Sequence, residues 1–192
     1  GQVEYRRGER GEWTPARSLT ALYEGDYIKT SKGSSAEVMT SDGVHFTVRP
    51  DTMILVSSSR SPTRPGREQT IALESGWVNL STSQTGGVVK TPEAEARISE
   101  RSLASVTYNA DDRTSEIAAH RGSVRVRSND GSERLLQELE KVRQEGQRLA
   151  ATVKLPEAPA LLAPSNNQQL SLDDSDQLTL TWEPVKGASR YA

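Results

Sequence analysis

Between residues 1 and 128 the hydrophobic positions come in short bursts, separated by Gly, Asp, Ser or Pro. Tyr27-Ile28-Lys29-Thr30 follows Gly25-Asp26, and Ala36-Glu37-Val38-Met39 follows Lys32-Gly33-Ser34-Ser35. Val44-His45-Phe46-Thr47-Val48 follows the turn dipeptide Asp42-Gly43, and Met53-Ile54-Leu55-Val56 follows Pro50-Asp51. Strand starts at regular short intervals, with turn residues between them, predict an all-β sandwich, barrel or solenoid. No helical period runs through this stretch.

An internal repeat sharpens the prediction. Ile71-Ala72-Leu73-Glu74-Ser75-Gly76-Trp77-Val78-Asn79-Leu80 aligns with Ile117-Ala118-Ala119-His120-Arg121-Gly122-Ser123-Val124-Arg125-Val126 at a constant offset. Tyr27-Ile28-Lys29-Thr30 echoes Val88-Val89-Lys90-Thr91. In each copy of the longer repeat a glycine permits a sharp turn between two short strands, and alternating apolar residues after it bury one face. Two copies fit a β-solenoid or a rolled sandwich with pseudo-symmetric sheets.

Residues 129–154 read differently. Asp130 with Glu133 forms a capping box, and Leu135, Leu139, Val142, Leu149 and Val153 recur at helical spacing. This predicts one amphipathic helix, laid against the β domain or paired in a short coiled coil, with Gly146 as its weak point. Residues 155–168 carry Pro156, Pro159 and Pro164 and read as an extended linker. Leu178-Thr179-Leu180-Thr181-Trp182 alternates as a strand before the turn at Pro184-Val185-Lys186-Gly187, so 169–192 reads as the start of a second β module.

Composition narrows the function classes. Of 192 residues, 24 are Lys or Arg and 26 are Asp or Glu, a net charge of -2. That near balance argues against a nucleic-acid partner. Hydrophobic residues make up 33%, which predicts a modest core with some extended segments. The absence of Cys excludes a disulfide scaffold, a thiol nucleophile and thiolate metal ligation. No apolar run is long enough to span a bilayer. The first residue is Gly and no signal peptide is visible, so the chain reads as a piece of a longer protein.

With the strand order in place, residues 1–128 resemble the FecR-type domain. The resemblance rests on Gly1-Gln2-Val3, Trp13, Leu22-Tyr23-Glu24-Gly25-Asp26-Tyr27-Ile28-Lys29-Thr30, Ser35-Ala36-Glu37-Val38, Asp42-Gly43, Val48-Arg49-Pro50-Asp51-Thr52 and Leu55. It continues through Leu73-Glu74-Ser75-Gly76-Trp77-Val78, Val89-Lys90-Thr91-Pro92-Glu93-Ala94 and Arg121-Gly122-Ser123-Val124-Arg125-Val126. One departure is Arg101-Ser102, where the family usually has Gly-Thr; a non-Gly residue disfavours a positive-φ turn. The run Trp182-Glu183-Pro184-Val185-Lys186-Gly187-Ala188-Ser189-Arg190-Tyr191 is similar to the first strands of a fibronectin type III-like module. These resemblances imply a bacterial, periplasmic or otherwise extracytoplasmic domain, membrane-anchored through sequence outside this chain. In one branch such domains relay signals from outer-membrane transporters to a sigma factor. In another they stand beside fibronectin-like modules in the cell envelope, and the tail here favours that branch.

Little in the sequence promises chemistry. His45 and His120 lie far apart, with no metal-ligand spacing. Neither a nucleophile elbow nor a nucleotide-binding glycine pattern occurs, and Lys90-Thr91-Pro92 lacks a partner Ser-x-x-Lys. Asp173, Asp174 and Asp176 supply too few oxygens for calcium by themselves. Trp13, Trp77 and Trp182 sit in strand-like contexts and read as packing residues more than as a glycan platform. The unusual segment is 57–69, a connection carrying Arg60, Arg64 and Arg67, whose planar forks suit an anionic contact. The sequence therefore predicts no enzyme, no cofactor and no metal. It predicts a non-catalytic envelope module binding another protein, with sigma-factor relay and peptidoglycan or glycan binding as the alternatives.

Overall fold

The structure is a computed structural model describing residues 1–41, 43–60, 67–146, 148–165 and 178–186. The chain divides into two units, Gly1–Val153 and Lys154–Ala192. Among its described residues the first holds strands joined by turns and loops, and no helix. The strands are β1 (Val3–Arg7), β2 (Thr14–Pro15), β3 (Asp26–Thr30), β4 (Ala36–Met39), β5 (His45–Val48), β6 (Thr52–Arg60), β7 (Arg67–Ser81) and β8 (Gly87–Lys90). β9 (Ala94–Ile98), β10 (Leu103–Asn109), β11 (Thr114–Arg121), β12 (Val124–Ser128), β13 (Glu133–Leu136), β14 (Glu140–Glu145), β15 (Arg148–Leu149) and β16 (Val153–Lys154) follow.

The 15-residue β7 organises the unit. Its first half pairs with β6 and, in parallel, with β8, in a ladder that runs from β1 and β3 through β6, β7, β8, β9 and β12 to β13. Its second half pairs with β5 and β10, in a ladder that continues to β11 and β14. Among the described residues the strands do not close into a barrel. Both ladders turn their apolar faces into one core, with Phe46, Ile54, Leu73, Val78, Leu80, Ile117, Val124 and Leu136 fully buried.

The chain changes ladder at Gly76 and again at Gly122, the two aligned glycines of the repeat. Both have positive φ, 96° and 74°, and both lie against a hydroxyl residue. A Cβ on Gly76 would stand 2.6 Å from the Thr52 Cα; one on Gly122 would stand 2.8 Å from the Ser102 Cβ. The hydroxyls behind them are wired alike. Thr30 donates to the Arg49 carbonyl at 2.6 Å and accepts from the Thr52 amide at 3.1 Å. Thr82 donates to the Ser99 carbonyl at 2.6 Å and accepts from the Ser102 amide at 2.9 Å. Each corner is thus held by buried hydroxyls that satisfy backbone groups no ladder reaches. Thr30 therefore corresponds to Thr82 and not to Thr91, whose hydroxyl accepts from the nearby Ala94 amide at 3.0 Å. The shorter sequence echo does not mark equivalent positions.

Arg101 keeps a positive φ of 54°, and Asp51 in the other copy has 55°. The turn thus survives without the family's glycine, against the sequence expectation, because the Thr82–Ser102 bonds on one side and the Arg101 amide to the Ser83 carbonyl (3.0 Å) on the other dictate its path. An L residue in that region costs about 1 kcal/mol or more. Arg101→Gly should therefore raise stability, by less than about 1 kcal/mol because glycine also loosens the unfolded chain. Urea denaturation of the two proteins measures the difference.

The helix expected over 129–154 does not form. Asn129-Asp130-Gly131 is a turn, with the Asp130 carboxylate accepting from the Ser132 amide at 2.8 Å, so Asp130 caps no helix. Leu139 and Gly146 both take positive φ, which breaks the helical stripe on either side of β14. β14 instead pairs with the open edge of β11 over six residues, burying Val142 and Gln144. Filling that ladder outweighs helical propensity, which is weak when tertiary pairing competes. In the second unit β17 (Leu161–Ala163), inside the segment read as linker, pairs antiparallel with β18 (Thr181–Trp182).

Candidate functional site

The outward side of the β8–β9–β12–β13 ladder carries an ordered charge pattern. Ala94, Ala96 and Ile98 of β9, and Val124 and Val126 of β12, point into the core. Strand alternation then turns Glu95, Arg97, Arg125 and Arg127 outward. Register arranges these side chains in two rows across four strands. One row reads Lys90, Glu95, Arg127, Glu133, with charges alternating in sign. The other reads Val88, Arg97, Arg125, Leu135, with two guanidinium groups on directly opposed residues.

The carboxylates are shared. Glu95 lies 3.3 Å from the Lys90 ammonium and 2.7 Å from the Arg97 guanidinium. Glu133 lies 3.6 Å from Arg125 and 3.9 Å from Arg127. Among the described residues, Lys90, Arg97, Arg125 and Arg127 thus share the Glu95 and Glu133 carboxylates on this face. A polar cleft of about 340 Å³ opens at its end, lined by Lys90, Thr91, Glu95, Arg127, Ser128 and Asn129 among others.

Behind the cleft lies a buried polar cluster. Glu93, 4% exposed, receives the Arg113 guanidinium at 2.8 Å. The Gln144 side-chain amide donates to the Glu93 carbonyl at 2.9 Å and to the Gly146 carbonyl at 2.7 Å. Thr91 and Ser115 share a hydroxyl bond of 2.8 Å. These bonds tie β9, β11 and β14 together, and among the described residues no cluster of His, Asp or Glu is arranged to hold a metal.

A second surface lies at the opposite end of the same ladder. The Arg6 guanidinium sits 4.9 Å from the Trp13 ring and 4.5 Å from the Tyr27 ring, and the Lys29 ammonium 4.5 Å from Trp13. Arg7 lies between Tyr5 and Tyr23 and pairs with buried Asp26. Long cations lying on aromatic rings cover ring faces that the ladder leaves outside the core. Trp13 is half-buried there, while Trp77 is 41% exposed under the Arg49 guanidinium and Trp182 is 39% exposed. The fully buried aromatic is Phe46, with Tyr108 at 5%.

The residues singled out in the sequence are scattered. Arg60 and Arg67 are cross-strand partners at the far end of the β6–β7 hairpin, which extends into the segment expected to be a loop because its backbones pair in register from Ser57 to Thr70. Arg64 lies outside the described residues, as do Asp173, Asp174 and Asp176. His45 lies half-buried, 3.4 Å from Glu37. His120 is on the exposed side of β11, 2.9 Å from the Ser105 hydroxyl. Sequence reading missed Arg97 and Arg125: the alternations Ala94-Glu95-Ala96-Arg97 and Val124-Arg125-Val126-Arg127 announce outward charges, but only register brings the two arginines together.

Desolvation lowers the His120 pKa below its ordinary 6.5. The folded protein therefore holds fewer protons there than the unfolded chain. Stability at this position is complete above about pH 6.5 and is lost as pH falls through that value toward the folded pKa. The effect is small, because the residue is exposed. Urea midpoints at pH 7 and pH 5 should differ less in His120→Gln than in the unmodified protein.

Comparison with known proteins adds the following. A family model described as FecR protein matches residues 26–125, just over half of the chain. Two crystal structures of a candidate anti-sigma factor from Parabacteroides distasonis ATCC 8503 share the fold, with TM-scores of 0.55 and 0.56 at 16% and 15% identity. Each match covers 67% of this chain and 59% of the other. No curated protein matches the chain.

Proposed function

We propose, from the premise that this chain belongs to the FecR protein family, that it is a non-catalytic extracytoplasmic module that binds an envelope protein and relays that state to a sigma-factor system. The family match carries the reading: it runs from the first residue of β3 into β12 and so takes in most of the common core. The fold shared with the anti-sigma factor structures supports the same direction. Apart from the Gln144 Oε1 and the Arg49 Nε, the buried polar side chains at both ladder corners and behind the cleft are engaged with backbone or with one another, which suits a stiff binding body more than a reactive one. We read the two ladders as a rolled sandwich, since β7 crosses between them and the pairings described are antiparallel apart from β7 with β8.

A second reading, an envelope scaffold without a sigma-factor partner, draws on the β17–β18 pair and the fibronectin-like run that begins at Trp182. The two separate in one experiment. Residues 1–128 are deleted from the full-length protein in its host, and transcription under extracytoplasmic-function sigma factors is measured with and without inducer. Loss of the inducer response supports relay. An unchanged response, with envelope partners released from co-purification, overturns relay in favour of scaffold. In the described residues no helix is long and apolar enough to cross a membrane.

A further inference from the structure

We propose that Arg49 and Trp77, with the polar row beside them, form a binding site for a carboxylate-bearing sugar of an acidic glycan. The site does not depend on the relay reading.

The two corners of the fold supply the comparison. At the first, the Arg49 amide donates to the Trp77 carbonyl at 3.0 Å; at the second, the Ser99 amide donates to the Ser123 carbonyl at 3.1 Å. Both pairs sit in the same frame. Thr30 donates to the Arg49 carbonyl as Thr82 does to the Ser99 carbonyl, and Trp77 and Ser123 each follow a corner glycine. The second corner is closed on itself, with the Ser99 hydroxyl 2.9 Å from those of Ser102 and Ser123. The fold therefore asks only for small hydroxyl residues at these two positions. The first corner carries a guanidinium and an indole there instead. They lie 4.9 Å apart, and Trp77 remains 41% exposed. Among the described residues Arg49 makes no ion pair, and its buried Nε has no hydrogen-bond partner. Leaving a buried donor unpaired costs stability. Both side chains are nevertheless held at their backbones by the corner, the preorganised state that a ligand exploits.

The surface beside the pair points to the ligand. Strand alternation puts Thr47 on the side of Arg49, and Asn79 on the side of Trp77. Register sets Thr47, Asn79 and Ser105 in one row across β5, β7 and β10, with Thr107 opposite Trp77. These four residues carry no formal charge. They offer hydroxyls and an amide, which both donate and accept and so match the hydroxyls of a sugar. The indole presents an apolar surface to the C–H face of a pyranose ring. Arginine's planar fork bonds both oxygens of a carboxylate. The polar row separates Trp77 from the exposed Leu103 and Met39, so this face lacks the continuous apolar centre of a protein interface. One cation among neutral groups also lacks the basic cluster that serves an anionic leaflet.

The test uses the 192-residue chain with a tetramer of galacturonic acid, a neutral tetramer of N-acetylglucosamine, and a peptide alternating Glu and Ser. Amide chemical shifts and tryptophan fluorescence follow binding. The acidic tetramer should shift Thr47, Trp77, Asn79 and Ser105, and should bind at least about tenfold more tightly than either other probe. Arg49→Ser with Trp77→Ser gives the first corner the residue pair of the second. It should weaken binding of the acidic tetramer at least about tenfold while moving the melting temperature by less than about 4 °C. Arg49→Lys keeps the charge but loses the fork, and should weaken binding about threefold. Arg6 also lies on a tryptophan with an unpartnered Nε, and Arg6→Ala should change the affinity less than about twofold. No binding of the acidic tetramer, shifts confined to other strands, or an affinity unchanged in the double variant overturns the proposal. Equal binding of the neutral tetramer, or tighter binding of the peptide, does so too, since Arg49 then reads no sugar carboxylate. Arg49→Lys keeps the test decisive if the double variant does not fold, because unchanged affinity there removes the carboxylate contact.

Discussion

Gly76→Ala is expected to destabilise the first unit by about 3–5 kcal/mol, lowering its melting temperature by roughly 10 °C. Two costs add. A backbone with φ of 96° is one that L residues avoid, and the new methyl would stand 2.6 Å from the Thr52 Cα and 2.7 Å from the Asp51 carbonyl oxygen. Those are backbone atoms and cannot swing aside. Truncating the neighbour, in Gly76→Ala with Thr52→Gly, should therefore recover little. The related corner behaves differently. At Gly122 the closest atoms belong to the Ser102 side chain, with its Cα at 3.1 Å, so Gly122→Ala should be partly rescued by Ser102→Gly. Thermal unfolding of the two single and two double variants measures this. Equal rescue at both corners would contradict the packing described.

Phe46→Ala should cost about 3–5 kcal/mol, close to the loss at Gly76 but by another route. Phe46 is the chain's one phenylalanine and is fully buried. Register sets it between Val38 of β4 and Leu80 of β7. Among the described pairings β4 pairs with β5 alone, so the cavity would also loosen that edge strand. Phe46→Leu, which keeps most of the volume, should cost less than about 1.5 kcal/mol. Urea denaturation gives both values, and a similar loss for Ala and Leu would argue that ring geometry rather than volume holds the edge.

Much of the β architecture was legible in the sequence because strand alternation and turn residues are local signals. Tyr27-Ile28-Lys29-Thr30 falls in β3, and His45-Phe46-Thr47-Val48 is β5. The aligned glycines were readable too, since an apolar strand broken by Gly leaves a trace at each copy. Register was not readable. Nothing local says that Arg97 meets Arg125, or that β7 runs on from Gly76 to serve two ladders. The helical stripe of 129–154 misled because leucine spacing at four and three also arises when a turn at Leu139 separates two short strands. The buried hydroxyls at Thr30, Thr52, Thr82 and Ser102 look like ordinary strand or turn residues until the corners they brace are seen.

The sharing of β7 has a mechanical consequence. Because one covalent strand belongs to both ladders, their stabilities are coupled through it, and the slowest-exchanging amides should cluster along Leu73–Leu80. A tug on either ladder is borne along a peptide backbone, the stiffest element available, and not across side chains that can slip. Such a body moves as one piece when it is pulled.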